Sequence, residues 1–322
     1  MNKIKIGIIG TADIAKKRFL PALSTCEEFE YVGVASRTEE SGKEFQQEAG
    51  GKVYVGYEEL LKDEEIQAVY IPLPPALHYE WVLKALEYGK HVFCEKPFTL
   101  CYKDTAKLIE TARKKGLAVK ENYMFVFHKQ IAKIKELSES GIIGELRLVR
   151  SDFCFPKRLE NDFRYNKELG GGALFDCGGY VIKLITSLMG NDISIADAHF
   201  NYENYDVDLY GAMTMVSRDG SVAQVSCGMD NDYSCNIFIR GSKGNIESKR
   251  VFTAPAGFEV CIHVSQNGNV IEEHKLADDH FANSIRHFAE CIHNKDILEQ
   301  EMSAMLKQAE LVEECLNKMS KQ

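Results

Sequence analysis

Ile4-Lys5-Ile6-Gly7-Ile8-Ile9-Gly10-Thr11-Ala12-Asp13-Ile14-Ala15 stands almost at the start of the chain. A short apolar strand over 4–9 runs into a glycine and then into a helical pattern over 13–24. Set against the glycine fingerprint GxGxxG, the turn keeps Gly10 and has Ala12 and Ala15 at the other two positions. The first glycine permits the tight turn. A small second residue lets backbone N–H groups approach a pyrophosphate, and a small third residue lets helix and strand pack closely. An ordinary βα turn meets the same pattern, so the weight comes from context: a strand before, a helix after, at the N-terminus. Gly10, Thr11, Ala12, Asp13 and Ile14 are therefore the residues expected at a dinucleotide pyrophosphate.

Outward from this turn, strand and helix patterns alternate. Strands are expected at 31–35, 52–55, 68–71, 91–94 and 117–120, with helices reaching 49 and covering 76–88 and 102–115. Gly89 and Gly116 stand where helix C-termini need a left-handed residue. This rhythm predicts parallel βαβ units and a doubly wound α/β sheet over residues 1–122. The pattern then changes. Helices are expected at 127–139, 173–189, 282–293 and 301–319, and a long strand at 146–155. Between 193 and 276 several strands are broken by Arg218-Asp219-Gly220, Gly241-Ser242-Lys243-Gly244 and Gln266-Asn267-Gly268-Asn269, which read as hairpin turns. Residues 123–322 are expected to form an α+β domain with a large, mostly antiparallel, open sheet.

The chain has 322 residues and a formal net charge of -9. Two domains suit the length, and the acidic balance disfavours a nucleic-acid or membrane-surface partner. No apolar run is read as approaching the roughly 20 residues of a membrane helix. No charged segment followed by a long apolar stretch opens the chain. The ten cysteines are scattered without a CxxC pair, so no metal site is expected, and reduced thiols in a cytoplasmic protein are.

The second strand ends at Val34-Ala35-Ser36-Arg37. A carboxylate here, roughly 20 residues past the glycine turn, would bind the adenosine ribose of NAD. Ser36 and Arg37 instead offer a hydroxyl and a guanidinium, which suit a 2′-phosphate and hence NADP(H). The fourth strand leads to Leu73, Pro74 and His78, and the fifth to Glu95-Lys96-Pro97. Both are C-terminal strand ends, where doubly wound sheets bind ligands. A lysine there can protonate a carbonyl oxygen as it gains hydride.

Glu95-Lys96-Pro97, the proline-rich turn with His78, and Leu169-Gly170-Gly171-Gly172-Ala173-Leu174-Phe175-Asp176-Cys177-Gly178-Gly179-Tyr180 together resemble the glucose–fructose oxidoreductase / inositol dehydrogenase family. The resemblance covers nearly the whole chain. It implies that Lys96 is catalytic, with Tyr180 and Asp176 beside it, and that Glu95 and Asn122 lie near the nicotinamide. Arg164 would meet a cofactor or substrate phosphate. Inositol dehydrogenase-like members have histidine where Tyr180 stands. The tyrosine resembles glucose–fructose oxidoreductase, dihydrodiol dehydrogenase and the nucleotide-sugar 3-ketoreductases, and Glu121-Asn122-Tyr123-Met124-Phe125 and Phe163-Arg164-Tyr165 resemble the last of these. The implied activity is hydride transfer between NADP(H) and the 3-keto group of a nucleotide-linked deoxysugar, in a homodimer or homotetramer. An NADP-dependent dehydrogenase of a free aldose, dihydrodiol or polyol stays open, and so does a non-catalytic NADP-binding regulator.

Overall fold

The computed structural model describes residues 3–319. They fall into two compact units: one runs to Asn122 and includes Phe281–Leu306, the other comprises Tyr123–His280 and the residues from Lys307.

In the first unit β1 (Ile4–Ile9), β2 (Phe29–Ser36), β3 (Lys52–Val55), β4 (Ala68–Ile71), β5 (His91–Glu95) and β6 (Val119–Asn122) form a six-stranded sheet in the order β3-β2-β1-β4-β5-β6. Every pair is parallel. The order reverses at β1, and the ligand crevice of such sheets lies at that switch point. All four residues of β4 are buried, because helices covering both faces demand an uninterrupted apolar run. The helix after β1 contains a π-helical turn, Ala15–Phe19, and continues as α1 (Leu20–Leu23). Helix α2 (Glu39–Ala49) begins at Thr38, whose side chain accepts a hydrogen bond from Ser41 N, with Glu39 and Glu40 in its first turn. Helix α3 (Tyr57–Lys62) has no counterpart in the sequence expectation. Its six residues are too few for a helical period to show, and burial of Leu60 and Leu61 holds it. Helices α4 (His78–Glu87) and α5 (Tyr102–Lys115) complete the crossovers, and Gly116 at φ 67° ends α5.

The second unit opens with α6 (Lys129–Glu139). Strands β7 (Leu146–Cys154), β8 (Ile193–Asn201), β9 (Tyr210–Ser217), β10 (Val222–Gly228), β11 (Ser234–Gly241), β12 (Asn245–Lys249), β13 (Val260–Gln266) and β14 (Asn269–Leu276) form an eight-stranded sheet in the order β14-β13-β12-β11-β7-β10-β9-β8. Only β7 and β10 pair in parallel. The three expected hairpin turns join β9 to β10, β11 to β12 and β13 to β14. Buried and exposed residues alternate along β11, β12 and β13, the mark of a sheet covered on one face. Helix α7 (Gly179–Met189), preceded by a π-helical turn at Leu174–Gly178, packs on β7 and β10.

The segment Lys167–Met189 reaches the length and apolarity of a membrane span, contrary to the sequence reading, yet 67% of its 18-residue apolar window is buried inside the fold. Its apolar residues serve the core of the second unit.

Helices α8 (His280–His293) and α9 (Lys295–Met319) close the chain. The second domain expected at 123–322 gives up residues 281–306 to the first unit. The cause is apolar: Phe288 stacks with Phe29 and Phe93, and Met302 and Met305 join the core beneath β4 and β5.

Candidate active site

In the first unit the C-terminal ends of the strands carry nearly all the expected cofactor residues. Gly10 has φ 105° and donates its N–H to Ala35 O at 2.9 Å. That φ favours glycine over any residue with a side chain, and the absent Cβ lets Leu73 Cδ2 of the loop after β4 come within 2.7 Å of where it would stand. Thr11, Ala12, Asp13 and Ile14 lead from it into the helix; Asp13 pairs with Lys17 at 2.6 Å. At the end of β2, Ser36 is buried and its hydroxyl bonds Thr38 O. Arg37 is exposed and, among the described residues, in no ion pair. A tight glycine turn opening a helix, with an unpaired guanidinium at the end of the neighbouring strand, fits a dinucleotide carrying a 2′-phosphate.

Pro74 and Leu73 are half-buried in the loop after β4. His78 is wholly buried, with Nδ1 2.7 Å from Pro97 O and Nε2 2.7 Å from Leu73 O. Burial pushes its pKa below the ordinary histidine range against the pull of the two carbonyls, and the charge of Lys96 acts in the same direction. The ring braces the loop after β4 against the loop after β5, at the strand ends where the cofactor is expected.

Glu95 ends β5. Its Oε1 accepts from Tyr70 Oη and from Asn122 Nδ2, each at 2.7 Å, while Asn122 Oδ1 accepts from Ser284 Oγ at 3.0 Å. Burial raises the Glu95 pKa, opposed by the hydrogen bonds from Asn122 and Tyr70 and by Lys96. Asn122 is wholly buried and its amide supports Glu95. Lys96 follows, half-buried, with a cis peptide bond to Pro97. Phe98 N donates to Glu121 at 2.7 Å and fixes the far side of this loop.

Tyr70 and Ser284 were not singled out in the sequence, and Glu121 stood only within the run 121–125, with no role of its own. The signal was present for two of them: a tyrosine in a four-residue buried strand, and a run of Lys120, Glu121 and Asn122 in another. Polar side chains in such places need dedicated partners.

In the second unit, Asp176 and Tyr180 lie at either end of the junction between the π-helical turn and α7. Asp176 accepts from Arg164 Nε at 2.6 Å, and Arg164 Nη1 also donates to Asp162 at 3.1 Å. Arg164 is thus held between two carboxylates, which leaves fewer of its donors for a phosphate. Tyr180 is buried among Tyr123, Phe125, Phe153 and Phe252, with Oη 3.8 Å from Met124 Sδ.

Asp208 holds the start of the same helix. Leu174 N donates to its Oδ2 at 2.6 Å, and a Cβ at Gly172, where φ is 119°, would run into its carboxylate. Burial pushes the Asp208 pKa up to about 6. The native state therefore favours the protonated acid. Its stabilisation is complete below the ordinary aspartate range and is lost as pH rises through about 6, a swing of about 3 kcal/mol. Asp208→Asn keeps an acceptor for Leu174 N and carries no charge. Urea unfolding should find the variant more stable than the parent at pH 8 and equal to it near pH 4; a variant less stable at pH 8 would contradict this account.

Residues 4–123 match the family described as "Oxidoreductase family, NAD-binding Rossmann fold", and residues 131–247 match the GFO/IDH/MocA C-terminal domain. The dTDP-3,4-didehydro-2,6-dideoxy-alpha-D-glucose 3-reductase of Actinomadura kijaniata is 37% identical over 313 residues, 97% of this chain and 94% of its own. The enzyme of the same name from Streptomyces violaceoruber is 35% identical over 323 residues, again 97% and 94%. A crystal structure of a 3-ketoreductase from Actinomadura kijaniata, in complex with NADP and TDP-benzene, superposes with a TM-score of 0.95 at 37% identity, over 99% of this chain and 98% of that one. That ketoreductase has also been solved with a tyrosine replaced by phenylalanine and with a lysine replaced by alanine. The two replaced residues stand as far apart in its sequence as Lys96 and Tyr180 do here.

Proposed function

The chain belongs to the GFO/IDH/MocA oxidoreductase family, and from that premise we propose that it is an NADP-dependent reductase of the 3-keto group of a nucleotide-linked deoxysugar. One observation carries the reading: Lys96 stands just past the end of β5 beside Glu95, whose Oε1 is held by Tyr70 and Asn122, in a chain that follows dTDP-sugar 3-reductases over almost its whole length. When bound, NADPH supplies the hydride. The chain's own residues bind, orient and move the proton. The turn Gly10–Ile14 would hold the pyrophosphate, Leu73 and Pro74 would line the cofactor, and Arg37 would hold the 2′-phosphate. Lys96 Nζ stabilises the developing alkoxide and protonates it. The Tyr180 hydroxyl assists that proton transfer, and the Arg164–Asp176 pair holds the helix start that carries Tyr180.

The test is a substrate screen. NADPH oxidation should be stimulated by a dTDP-linked 3-keto-deoxysugar and not by free aldoses; in the other direction, NADP should not be reduced with free xylose or diols. Oxidation of a free aldose as fast as reduction of the nucleotide sugar would favour the aldose dehydrogenase reading. No turnover with any carbonyl compound would favour a regulator.

Tyr180→Phe removes one hydroxyl and leaves the aromatic packing in place. We expect kcat to fall by about tenfold with KM nearly unchanged, the mark of an assisting group. A loss as large as that from removing Lys96 would make the phenol the proton donor.

We assign the outward face of strands β7 to β10, one half of the eight-stranded sheet, to a second copy of the chain, giving a homodimer or homotetramer. Its support is an open groove of about 410 Å³ on that face, lined by Arg150, Asp152, Asp197, His199, Gln224 and Ser226. Light scattering would read the assembly directly. All ten cysteines are free, which suits the reducing cytoplasm we assign to the enzyme.

A further inference from the structure

Along β13, Val260, Ile262 and Val264 are buried and the alternate residues Cys261 and His263 point to the outward face. Strand β14 pairs antiparallel with β13 and sets Glu273 opposite His263 and Lys275 opposite Cys261. A thiol, an imidazole and a carboxylate therefore converge on one patch of the sheet margin. Cys261 Sγ is 3.4 Å from His263 Nε2, and His263 Nε2 is 3.1 Å from Glu273 Oε2. The three ligand atoms all lie within 4.8 Å of one another.

We propose that Cys261, His263 and Glu273 bind one divalent transition-metal ion, best matched by Zn²⁺, with solvent in the fourth position. The spacing fits such an ion. Bonds of about 2.0–2.3 Å to a tetrahedral centre place neighbouring ligand atoms about 3.3–3.7 Å apart. The Cys261–His263 and His263–Glu273 separations are close to those edges, and the third needs only a side-chain adjustment at a partly exposed surface. The donor set selects the metal class. Sulfur and nitrogen disfavour Mg²⁺ and Ca²⁺, which take oxygen ligands in larger number, whereas thiolate, imidazole and carboxylate together suit zinc.

The surroundings prepare the site. Glu273 Oε1 pairs with Lys275 Nζ at 3.3 Å, which orients the carboxylate and leaves Oε2 facing His263. Glu247 on β12 stands across from His263 on the other side and is exposed. It adds negative potential that offsets Lys275. The ion must replace the Cys261 thiol proton. Binding converts Cys–SH and M²⁺ into a Cys–S–M bond and releases one H⁺ to solvent. No residue of the proposed reductase machinery takes part. The site would clamp β14, the edge strand of the sheet, to its neighbour, the kind of edge that folds otherwise guard by charge or cover.

Cobalt(II) is the probe. Chelator-treated full-length protein is titrated with Co²⁺ and read for a thiolate-to-cobalt charge-transfer band. The expected result is saturation at one ion per chain, bleaching by Zn²⁺, and loss of the band in Cys261→Ser. His263→Gln and Glu273→Gln should each weaken binding by at least about tenfold, while Cys101→Ser, at the other half-exposed thiol, leaves it unchanged. NADPH binding checks that each variant is folded. A parent protein with no band at saturating Co²⁺, or a band that survives Cys261→Ser, overturns the site.

Discussion

Lys96→Ala will lower turnover of the keto sugar by about a thousandfold or more and leave NADPH bound. Two contributions are lost together. The developing alkoxide loses its proton donor, and it loses a nearby positive charge; either alone accounts for two to four orders of magnitude in comparable reactions. Glu95 is held by Tyr70 and Asn122, and His78 by two backbone carbonyls, whether or not the ammonium is present. NADPH fluorescence should therefore report a dissociation constant within about threefold of the parent. The variant also has a signature away from the chemistry. The Lys96 charge lowers the pKa of both His78 and Glu95, so its removal should move both upward. Turnover within tenfold of the parent would remove Lys96 from the mechanism.

The difference between what the sequence displayed and what it concealed follows from range. Parallel strands buried on both faces announce themselves locally, and the expected limits of β3 and β4 agree with the structure at 52–55 and 68–71. Helix α5, bounded by a glycine in the left-handed region, agrees at 102–115. The return of 281–306 to the first unit was hidden, because which sheet an apolar helix face covers is decided by contacts across the chain. His78 and Asn122 show the same limit within the site. Position at a strand end is legible, but whether the polar atoms face a ligand or brace two loops depends on which carbonyls come within reach. Asp208 lies outside any motif and acts through Leu174, and only the fold brings them together. Cys261, His263 and Glu273 depend on the register of one hairpin, and a shift of one residue would turn Glu273 to the opposite face.

Arg37→Ala should raise KM for NADPH by about 10- to 100-fold and leave KM for NADH nearly unchanged. The guanidinium is exposed at the end of β2, and Ser36 beside it has its hydroxyl engaged with Thr38 O. Recognition of a 2′-phosphate in this loop therefore falls mainly on Arg37. A charge-assisted contact of this kind contributes about 1.5–3 kcal/mol, which converts at 1.4 kcal/mol per decade to the stated range. The contact is partly open to solvent, so raising the salt concentration should erode NADPH affinity of the parent and have less effect on the variant. kcat at saturating NADPH should stay close to the parent value, since the 2′-phosphate takes no part in hydride transfer and its binding is uniform between ground and transition states. Equal losses with NADPH and NADH would mean that removing Arg37 distorts the β2 end itself. An unchanged preference would assign the phosphate to another cation. The selective loss is the outcome that an unpaired guanidinium at this position requires.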